Sequence, residues 1–262
     1  MNKIKPVVVK IGGSTLGSHD TTLQDLVTLQ NKGVPLVVVH GGANRVTQWL
    51  QRQGASTSFT DGVRVTDDVS LEMVAAVLGG LVNTELVASI NALGGQAVGM
   101  TGVDGNLLEC RITNPALGYA GKVNRVNTAP VKALLKFGII SLIAPPGAKS
   151  PDEPADVPYI NINGDDIAGN MATALEADLL VFLTDVGGIR DGDGNFLPQV
   201  SADGVRSLMT SGVINMGMIP KAEAALIALA NTPAVKIIDG RVPHALRDAV
   251  EGSPIGTTIS RQ

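Results

Sequence analysis

A series of short apolar runs limits most strongly how this chain can fold. Each run is rich in Val, Ile and Leu, is bounded by Gly, Pro or polar residues, and lacks the alternation of a half-exposed strand. Continuous runs of this kind are typical of strands that are buried on both faces of a sheet. We therefore predict buried strands at 7–11, 36–40, 96–100, 139–144, 179–183 and 235–238.

The segments between these runs have the spacing of helices, with apolar residues three or four positions apart. Strands and helices thus alternate, which predicts an α/β fold with a mainly parallel central sheet. More polar stretches at 59–65 and 107–126 predict hairpins over one edge of that sheet. The Pro- and Gly-containing stretch 145–158 predicts a loop that divides one domain, 1–262, into lobes of about 1–157 and 158–262.

Charge and composition exclude several classes of protein. A formal charge of −4 without Lys or Arg clusters argues against binding to nucleic acid, and we expect none. The chain has one cysteine, Cys110, so it cannot form an internal disulfide, which fits a reducing compartment. We find neither a secretion signal nor an uninterrupted apolar segment long enough to span a bilayer, and we expect a cytoplasmic protein with no membrane partner.

Two of the predicted strands end in a pair of glycines, Gly12-Gly13 and Gly41-Gly42. A Gly pair between a strand and a helix lets backbone N–H groups approach an anion closely. One such pair often does no more than end a strand, but two on consecutive strands favour a site for neighbouring anions. Neither pair belongs to the dinucleotide-binding or P-loop patterns, so the sequence does not support an ordinary dehydrogenase or P-loop NTPase.

Two lysines and one aspartate are candidates for the chemistry at such a site. Lys10 lies within an apolar run, where an ammonium group needs a partner, and a phosphate could supply it. Lys221 follows Pro220 at the predicted start of an alanine-rich helix. Asp165 has two interpretations that the sequence leaves open: it either caps the following helix or holds the lysine ammonium groups in position.

Several motifs, taken in their order along the chain, together resemble the amino-acid kinase family. They are Lys-Ile-Gly-Gly at 10–13, His-Gly-Gly at 40–42, Asp-Gly-Val-Arg-Val-Thr at 61–66, Asn-Ile-Asn-Gly-Asp at 161–165, Thr-Asp-Val-Gly-Gly at 184–188, Gly-Met-Ile-Pro-Lys at 217–221 and Ile-Ile-Asp-Gly-Arg-Val-Pro-His at 237–244. Within the family, the resemblance is strongest to members that phosphorylate N-acetyl-L-glutamate in arginine biosynthesis. It implies an open αβα sandwich of the carbamate kinase type, whose first lobe binds the acyl acceptor and whose second lobe binds ATP.

The resemblance also implies roles for individual residues. Lys10 and Lys221 are expected to contact the transferring phosphoryl group, with Asp165 orienting both lysines. Arg64 and Asn161 are expected to hold the α-carboxylate and acetylamide of the acceptor. The glycines expected to offer backbone N–H groups are Gly12 and Gly13 toward phosphate and Gly41 and Gly42 toward the acceptor. The residues expected to line the ATP pocket are Asp185, Val186, Gly187, Gly188, Ile189, Arg190, Val213, Ile214 and Asn215.

The expected substrates are ATP and N-acetyl-L-glutamate, and Mg²⁺ is expected to be held mainly by phosphates and water, with no protein ligand named. Arginine-inhibited members of the family carry an additional N-terminal helix that links dimers into hexamers. The first predicted strand here begins at Val7, so we expect a homodimer that arginine does not inhibit.

Two other functions remain open at this point. A kinase for aminoadipate or glutamate attached to a carrier protein has nearly the same motifs, although it needs a basic surface that this sequence does not display. A non-catalytic nucleotide-sensing protein of the same fold is the other alternative, because a fold alone does not establish activity.

Overall fold

A computed structural model of the chain describes residues 5–13, 21–60 and 62–262. Residues 1–4, which belong to the start where no secretion signal is predicted, lie outside this description. The same holds for the link 14–20 after the first Gly pair and for Asp61 of the motif at 61–66.

The strands form one large sheet and a separate two-stranded hairpin. They are β1 (Val7–Ile11), β2 (Leu36–His40), β3 (Phe59–Thr60), β4 (Val63–Arg64), β5 (Ala97–Gly102), β6 (Leu108–Arg111), β7 (Ala120–Val126), β8 (Ile140–Lys149), β9 (Tyr159–Ile162), β10 (Leu179–Thr184), β11 (Gln199–Ser201), β12 (Ala234–Asp239) and β13 (Thr257–Ser260). The order in the large sheet is β11-β13-β12-β10-β1-β2-β8-β6-β7-β9, and β5 pairs with β8. Pairing is parallel through the centre, from β12 to β8, so these strands all end at the same edge.

Helices cover both faces of this sheet. They are α1 (Thr22–Asn31), α2 (Ala43–Arg52), α3 (Asp68–Val74), a π-helical stretch (Ala75–Val82), α4 (Asn83–Ala92), α5 (Ala129–Lys136), α6 (Gly164–Leu175), α7 (Ala202–Thr210), α8 (Ile219–Ala228) and α9 (Ala245–Val250). Side chains of β1 alternate between the two faces: Val8 packs into a core with α5, α6, α7 and α8, whereas Val9 packs with α1 to α4 and α9. This arrangement confirms the predicted αβα sandwich with a mainly parallel sheet.

A strand is present at each of the predicted positions, with ends that differ by a few residues, and the hairpin at 59–65 is present as β3 and β4. The strand at 96–100 is not buried on both faces as predicted, because Val98 and Gly99 of β5 are exposed. Two further expectations were wrong. The stretch 107–126 does not hang over an edge, because β6 and β7 continue the sheet through β8 and β9. The first five of the fourteen residues of the loop predicted at 145–158 are strand, because β8 extends to Lys149. There it pairs with β6 and β9, and these tertiary pairings outweigh the local preference of Pro and Gly for loops.

The stretch Asp68–Ala92 is long and apolar enough to cross a membrane, and it is the one such stretch among the described residues. One side of it packs against the sheet, where Val74, Leu78, Leu86 and Ile90 are buried. Such burial is typical of a core helix, so packing against the sheet explains its apolar composition without a membrane.

Candidate active site

Asp165 lies in the first turn of α6 and is almost completely buried. The preceding Asn163 caps this helix, because its side-chain oxygen accepts the backbone N–H of Asp165 at 2.8 Å. The carboxylate of Asp165 is therefore not the helix cap. Of the two interpretations that the sequence left open, the structure favours a carboxylate that faces the lysines.

Two lysines from distant parts of the chain meet at this carboxylate. Nζ of Lys10, within β1, lies 2.8 Å from Oδ1 of Asp165, and Nζ of Lys221, in the first turn of α8, lies 3.1 Å from Oδ2. The lysine side chains are only 9% and 18% exposed, so water screens these ion pairs weakly. Burial by itself would raise the pKa of Asp165, but Lys10 and Lys221 outweigh burial and hold this pKa below its usual value.

A cavity of about 270 Å³ opens beside these ion pairs. Its lining includes Lys10, Asp165 and Lys221 together with two polar side chains from other elements, Arg64 of β4 and Asn161 of β9. Groups that suit an anion and groups that suit a small polar molecule therefore share one cavity at the edge where the parallel strands end.

The two Gly pairs pack against each other at the wall of this cavity, whose lining includes Gly13, Gly41 and Gly42 but not Gly12. A Cβ atom on Gly13 would lie 3.1 Å from Cα of Gly42, and one on Gly42 would lie 2.7 Å from Cδ2 of Leu78. Gly42 also has φ of +148°, which larger residues rarely adopt. Glycine is needed here because two backbone turns and a helix meet without room for a side chain.

Arg64 is buried and already has several partners. Its Nη2 donates to the carbonyl of Ala43 at 2.8 Å and to Oγ1 of Thr47 at 2.9 Å, and its Nη1 donates to Oγ1 of Thr57. The guanidinium lies 4.5 Å from the ring centre of Phe59, and burial lowers the pKa of Arg64. Each edge of a guanidinium that can bind a carboxylate at two points uses Nη2. Both N–H groups of Nη2 already donate to Ala43 and Thr47. Arg64 can therefore bind a carboxylate at two points only if at least one of these hydrogen bonds is replaced by a bond to the carboxylate.

Asn161 is held from below the cavity by one hydrogen bond, in which its Nδ2 donates to Oγ1 of Thr66 at 3.0 Å. Thr66 follows β4 and is fully buried. Thr66 therefore connects the two residues predicted to bind the acceptor, because it lies two positions after Arg64 and accepts a hydrogen bond from Asn161.

Comparison with known proteins agrees with this geometry. The pattern described as the Amino acid kinase family matches residues 5–239. Acetylglutamate kinase of Dehalococcoides mccartyi (strain ATCC BAA-2100) is 43% identical over 258 residues, which cover 98% of this chain and 94% of the relative.

The chain belongs to the amino acid kinase family.

Two solved structures resemble this amino acid kinase in fold. N-acetylglutamate synthase from Neisseria gonorrhoeae, complexed with coenzyme A and N-acetyl-glutamate, superposes with a TM-score of 0.84 at 25% identity, over 99% of this chain and 60% of the synthase. Carbamate kinase from Giardia lamblia, bound to AMP-PNP, superposes with a TM-score of 0.75 at 16% identity over the whole of both chains. The predicted carbamate kinase type of fold is confirmed.

The residues predicted to bind ATP in this amino acid kinase lie apart from the cavity. Residues 185–190 follow β10, which pairs with β1, so this loop leaves the sheet beside the first Gly pair. Within it, Arg190 donates to the carbonyl of Gly194 and stacks on Phe196 at 4.3 Å. Residues 213–215 lie between α7 and α8, and a Cβ atom on Gly192 would lie 3.9 Å from Cγ2 of Val213. The turn that follows the first predicted ATP segment thus lies close to the second, and the role of both segments stays a prediction.

A buried polar pair that was not predicted from the sequence lies behind the second Gly pair of this amino acid kinase. Nδ2 of Asn83 lies 3.0 Å from Nε2 of His40, and Nδ1 of His40 lies 3.0 Å from the carbonyl of Gly41. Burial lowers the pKa of His40, and the charge of Lys10 lowers it further, although the Gly41 carbonyl acts in the opposite direction. A neutral imidazole with its proton on Nδ1 satisfies both contacts. The available signal was weak, because Asn83 follows the apolar run 73–82 but is itself followed by the polar residues Thr84 and Glu85.

Proposed function

We propose that this amino acid kinase transfers the terminal phosphoryl group of ATP to the side-chain carboxylate of N-acetyl-L-glutamate, a step of arginine biosynthesis. One observation carries the proposal. Lys10 and Lys221 converge on Asp165 at the wall of a cavity that Arg64 and Asn161 also line. The relative named acetylglutamate kinase, 43% identical over nearly the whole chain, supports this choice of acceptor.

The chemistry of the reaction matches the groups in the cavity. A glutamate side chain, with a pKa of about 4.3, is already ionised at neutral pH, so its phosphorylation requires no general base. The main obstacle is repulsion between an anionic nucleophile and a polyanionic triphosphate. Two ammonium groups held by one carboxylate can reduce that repulsion and stabilise the charge that develops on the transferring group.

Each group in the cavity has a part in this proposal. Lys10 and Lys221 contact the transferring phosphoryl group, and Asp165 keeps both ammonium groups in place between turnovers. Arg64 and Asn161 bind the α-carboxylate and the acetylamide of the acceptor. When the acceptor binds, one hydrogen bond from Nη2 of Arg64 to the protein is replaced by a hydrogen bond to a carboxylate oxygen. The backbone N–H groups of the Gly pairs complete the polar lining.

The nucleotide enters as MgATP, and Mg²⁺ neutralises part of the phosphate charge. Among the described residues there is no group of three His, Cys, Asp or Glu side chains that could hold a metal ion. Asp165, which lines the cavity, forms ion pairs with two lysines through its carboxylate. These features suit an ion whose ligands are mainly phosphate oxygens and water. The ATP site proposed for the second lobe comprises residues 185–190 and 213–215.

Trapping of the acyl phosphate by hydroxylamine tests the function directly. Purified protein with MgATP and N-acetyl-L-glutamate is expected to form the hydroxamate, and the variant Lys10→Met is expected to form little. The variant Lys32→Met is a matched control, because Lys32 is an exposed lysine paired with Glu251 on another face. Turnover of carrier-bound aminoadipate but not of free N-acetyl-L-glutamate, or binding of ATP without any hydroxamate, would contradict the proposal.

We also propose that the enzyme is a cytoplasmic homodimer. Among the described strands β5 pairs only with β8, so its other edge is unpaired, and Val98 on this strand is exposed. A second copy could cover this edge. Light scattering after size-exclusion chromatography should give twice the 26.9 kDa of one chain, and a monomer at micromolar concentration would contradict the dimer.

A further inference from the structure

Thr66 is fully buried below the cavity, and each of its polar groups has a partner. Its backbone N–H donates to the carbonyl of Leu117, and its carbonyl accepts the N–H of Tyr119 at 2.7 Å. Its hydroxyl lies 3.0 Å from the carbonyl of Arg64 and 3.0 Å from Nδ2 of Asn161. A buried threonine that uses all of these groups has little freedom to move.

These bonds determine which end of the Asn161 amide faces the cavity. A threonine hydroxyl has one proton, and the carbonyl of Arg64 can only accept it. The hydroxyl must therefore accept from Asn161, which requires the NH₂ end of that amide to point toward Thr66. The carbonyl end, Oδ1, then points away from Thr66 on a side chain that lines the cavity.

Backbone hydrogen bonds also hold Thr66 in a fixed position relative to Asn161 on β9. The N–H of Asn161 donates to the carbonyl of Tyr119, whose own N–H donates to Thr66. Gly118, with φ of +63°, lets the chain pass so closely that a Cβ atom there would lie 2.2 Å from the carbonyl oxygen of Thr66. Thr66 and Asn161 are thus joined by both a backbone and a side-chain connection.

We propose that Thr66 is a positioning residue that selects an acceptor with an acylated amino group, by holding Oδ1 of Asn161 toward the cavity. This inference rests on the proposed function. An amide oxygen can only accept a hydrogen bond, and the single N–H of an N-acyl group supplies one donor. An ester analogue with oxygen in place of that N–H places two acceptors against each other, so a site built for N–H rejects it.

The test compares N-acetyl-L-glutamate with its ester isostere, 2-acetoxyglutarate, as acceptors. The wild-type enzyme should prefer the amide at least about tenfold in kcat/KM. Thr66→Val removes the hydroxyl at nearly constant volume, so the amide of Asn161 can turn. We expect about a tenfold rise in KM for the amide acceptor, a preference near unity, and little change in KM for ATP. Thr66→Ser keeps the hydroxyl and should restore both values.

Controls separate positioning from a general loss of packing. Thr232→Val is the matched control, because Thr232 is a buried threonine outside the cavity whose hydroxyl has no hydrogen-bond partner within the described residues. Thr232→Val should leave kcat/KM for both acceptors unchanged. In an Asn161→Ala background, Thr66→Val should add less than about a twofold effect, since Thr66 acts through Asn161. If Thr66→Val does not fold, Thr66→Ala gives the same comparison.

Several outcomes would overturn the inference. The first is an unchanged preference for the amide acceptor in Thr66→Val. The second is a loss of that preference in Thr66→Ser as large as in Thr66→Val. The third is an effect of Thr66→Val on the amide acceptor that is as large in the Asn161→Ala background as in the wild type. An NMR measurement separates this failure from failure of the proposed function. The side-chain NH₂ signal of Asn161, assigned by its loss in Asn161→Ala, should be protected from exchange in the wild type and lose protection in Thr66→Val. This holds whether or not N-acetyl-L-glutamate is the acceptor, and equal exchange in both proteins would refute the orientation.

Discussion

Replacing Asp165 with Asn tests the central arrangement, because one atom change removes the charge that two lysines share. The ion pairs at 2.8 and 3.1 Å are both lost, while two poorly exposed ammonium groups remain. Breaking a buried ion pair by removing one partner costs about 3–5 kcal/mol of stability. For a protein of this size that corresponds to a fall in Tm of roughly 6–20 °C.

The effect on catalysis follows from the same bonds. Hydrogen bonds to charged groups are worth about 1.5–3 kcal/mol each. If orientation of the two lysines loses about 3 kcal/mol in total, kcat falls by roughly 10²-fold. Phosphate oxygens can replace the missing negative charge, so a non-hydrolysable MgATP analogue should raise the Tm of Asp165→Asn more than that of the wild type.

The assay combines thermal unfolding, with and without the analogue, and initial rates of hydroxamate formation. Asp166→Asn is the matched control, since the neighbouring carboxylate accepts the N–H of Val123 and the amide of Asn170 and belongs to neither lysine pair. Its kcat should stay within about threefold of wild type. An Asp165→Asn variant with wild-type Tm and a kcat within threefold would show that the shared carboxylate does not organise the lysines.

Three further predictions concern single side chains. Lys10→Met and Lys221→Met should each lower kcat by about 10²-fold or more with modest changes in KM, while the kcat of Lys32→Met should stay near the wild-type value. A near-normal kcat in both active-site variants would disprove the role of these lysines. Arg64→Ala should raise KM for the acceptor by about 10²-fold, because a carboxylate clamp acts mainly in ground-state binding, and steady-state kinetics that give an unchanged KM would exclude that clamp. Because burial keeps the pKa of His40 below its usual value, the unfolded chain binds a proton below pH ~6.5 that the folded protein does not. The free energy of unfolding should then fall by up to ~1.4 kcal/mol per pH unit as the pH falls below ~6.5. His40→Asn should reduce this slope in urea titrations, whereas an identical slope would contradict a neutral imidazole.

The sequence alone was sufficient for the central parallel strands of the sheet and for the type of fold. Strands buried on both faces must be apolar throughout, so their positions can be read directly from the composition of each run. An ammonium group inside such a run, as at Lys10, needs a partner, and glycine pairs at strand ends leave room for close backbone contacts. These local requirements do not depend on distant residues, which is why they could be predicted.

Only the tertiary structure decided which side chains meet. Nothing near Asp165 in sequence specifies that Asn163 caps the helix while Lys10 and Lys221 take the carboxylate. The contact between Thr66 and Asn161 likewise depends on the fold, which brings the segment after β4 next to the side chain of a residue on β9. The partners of a buried polar group are chosen by long-range packing, because burial removes water as an alternative partner and leaves only the groups that the fold brings within reach.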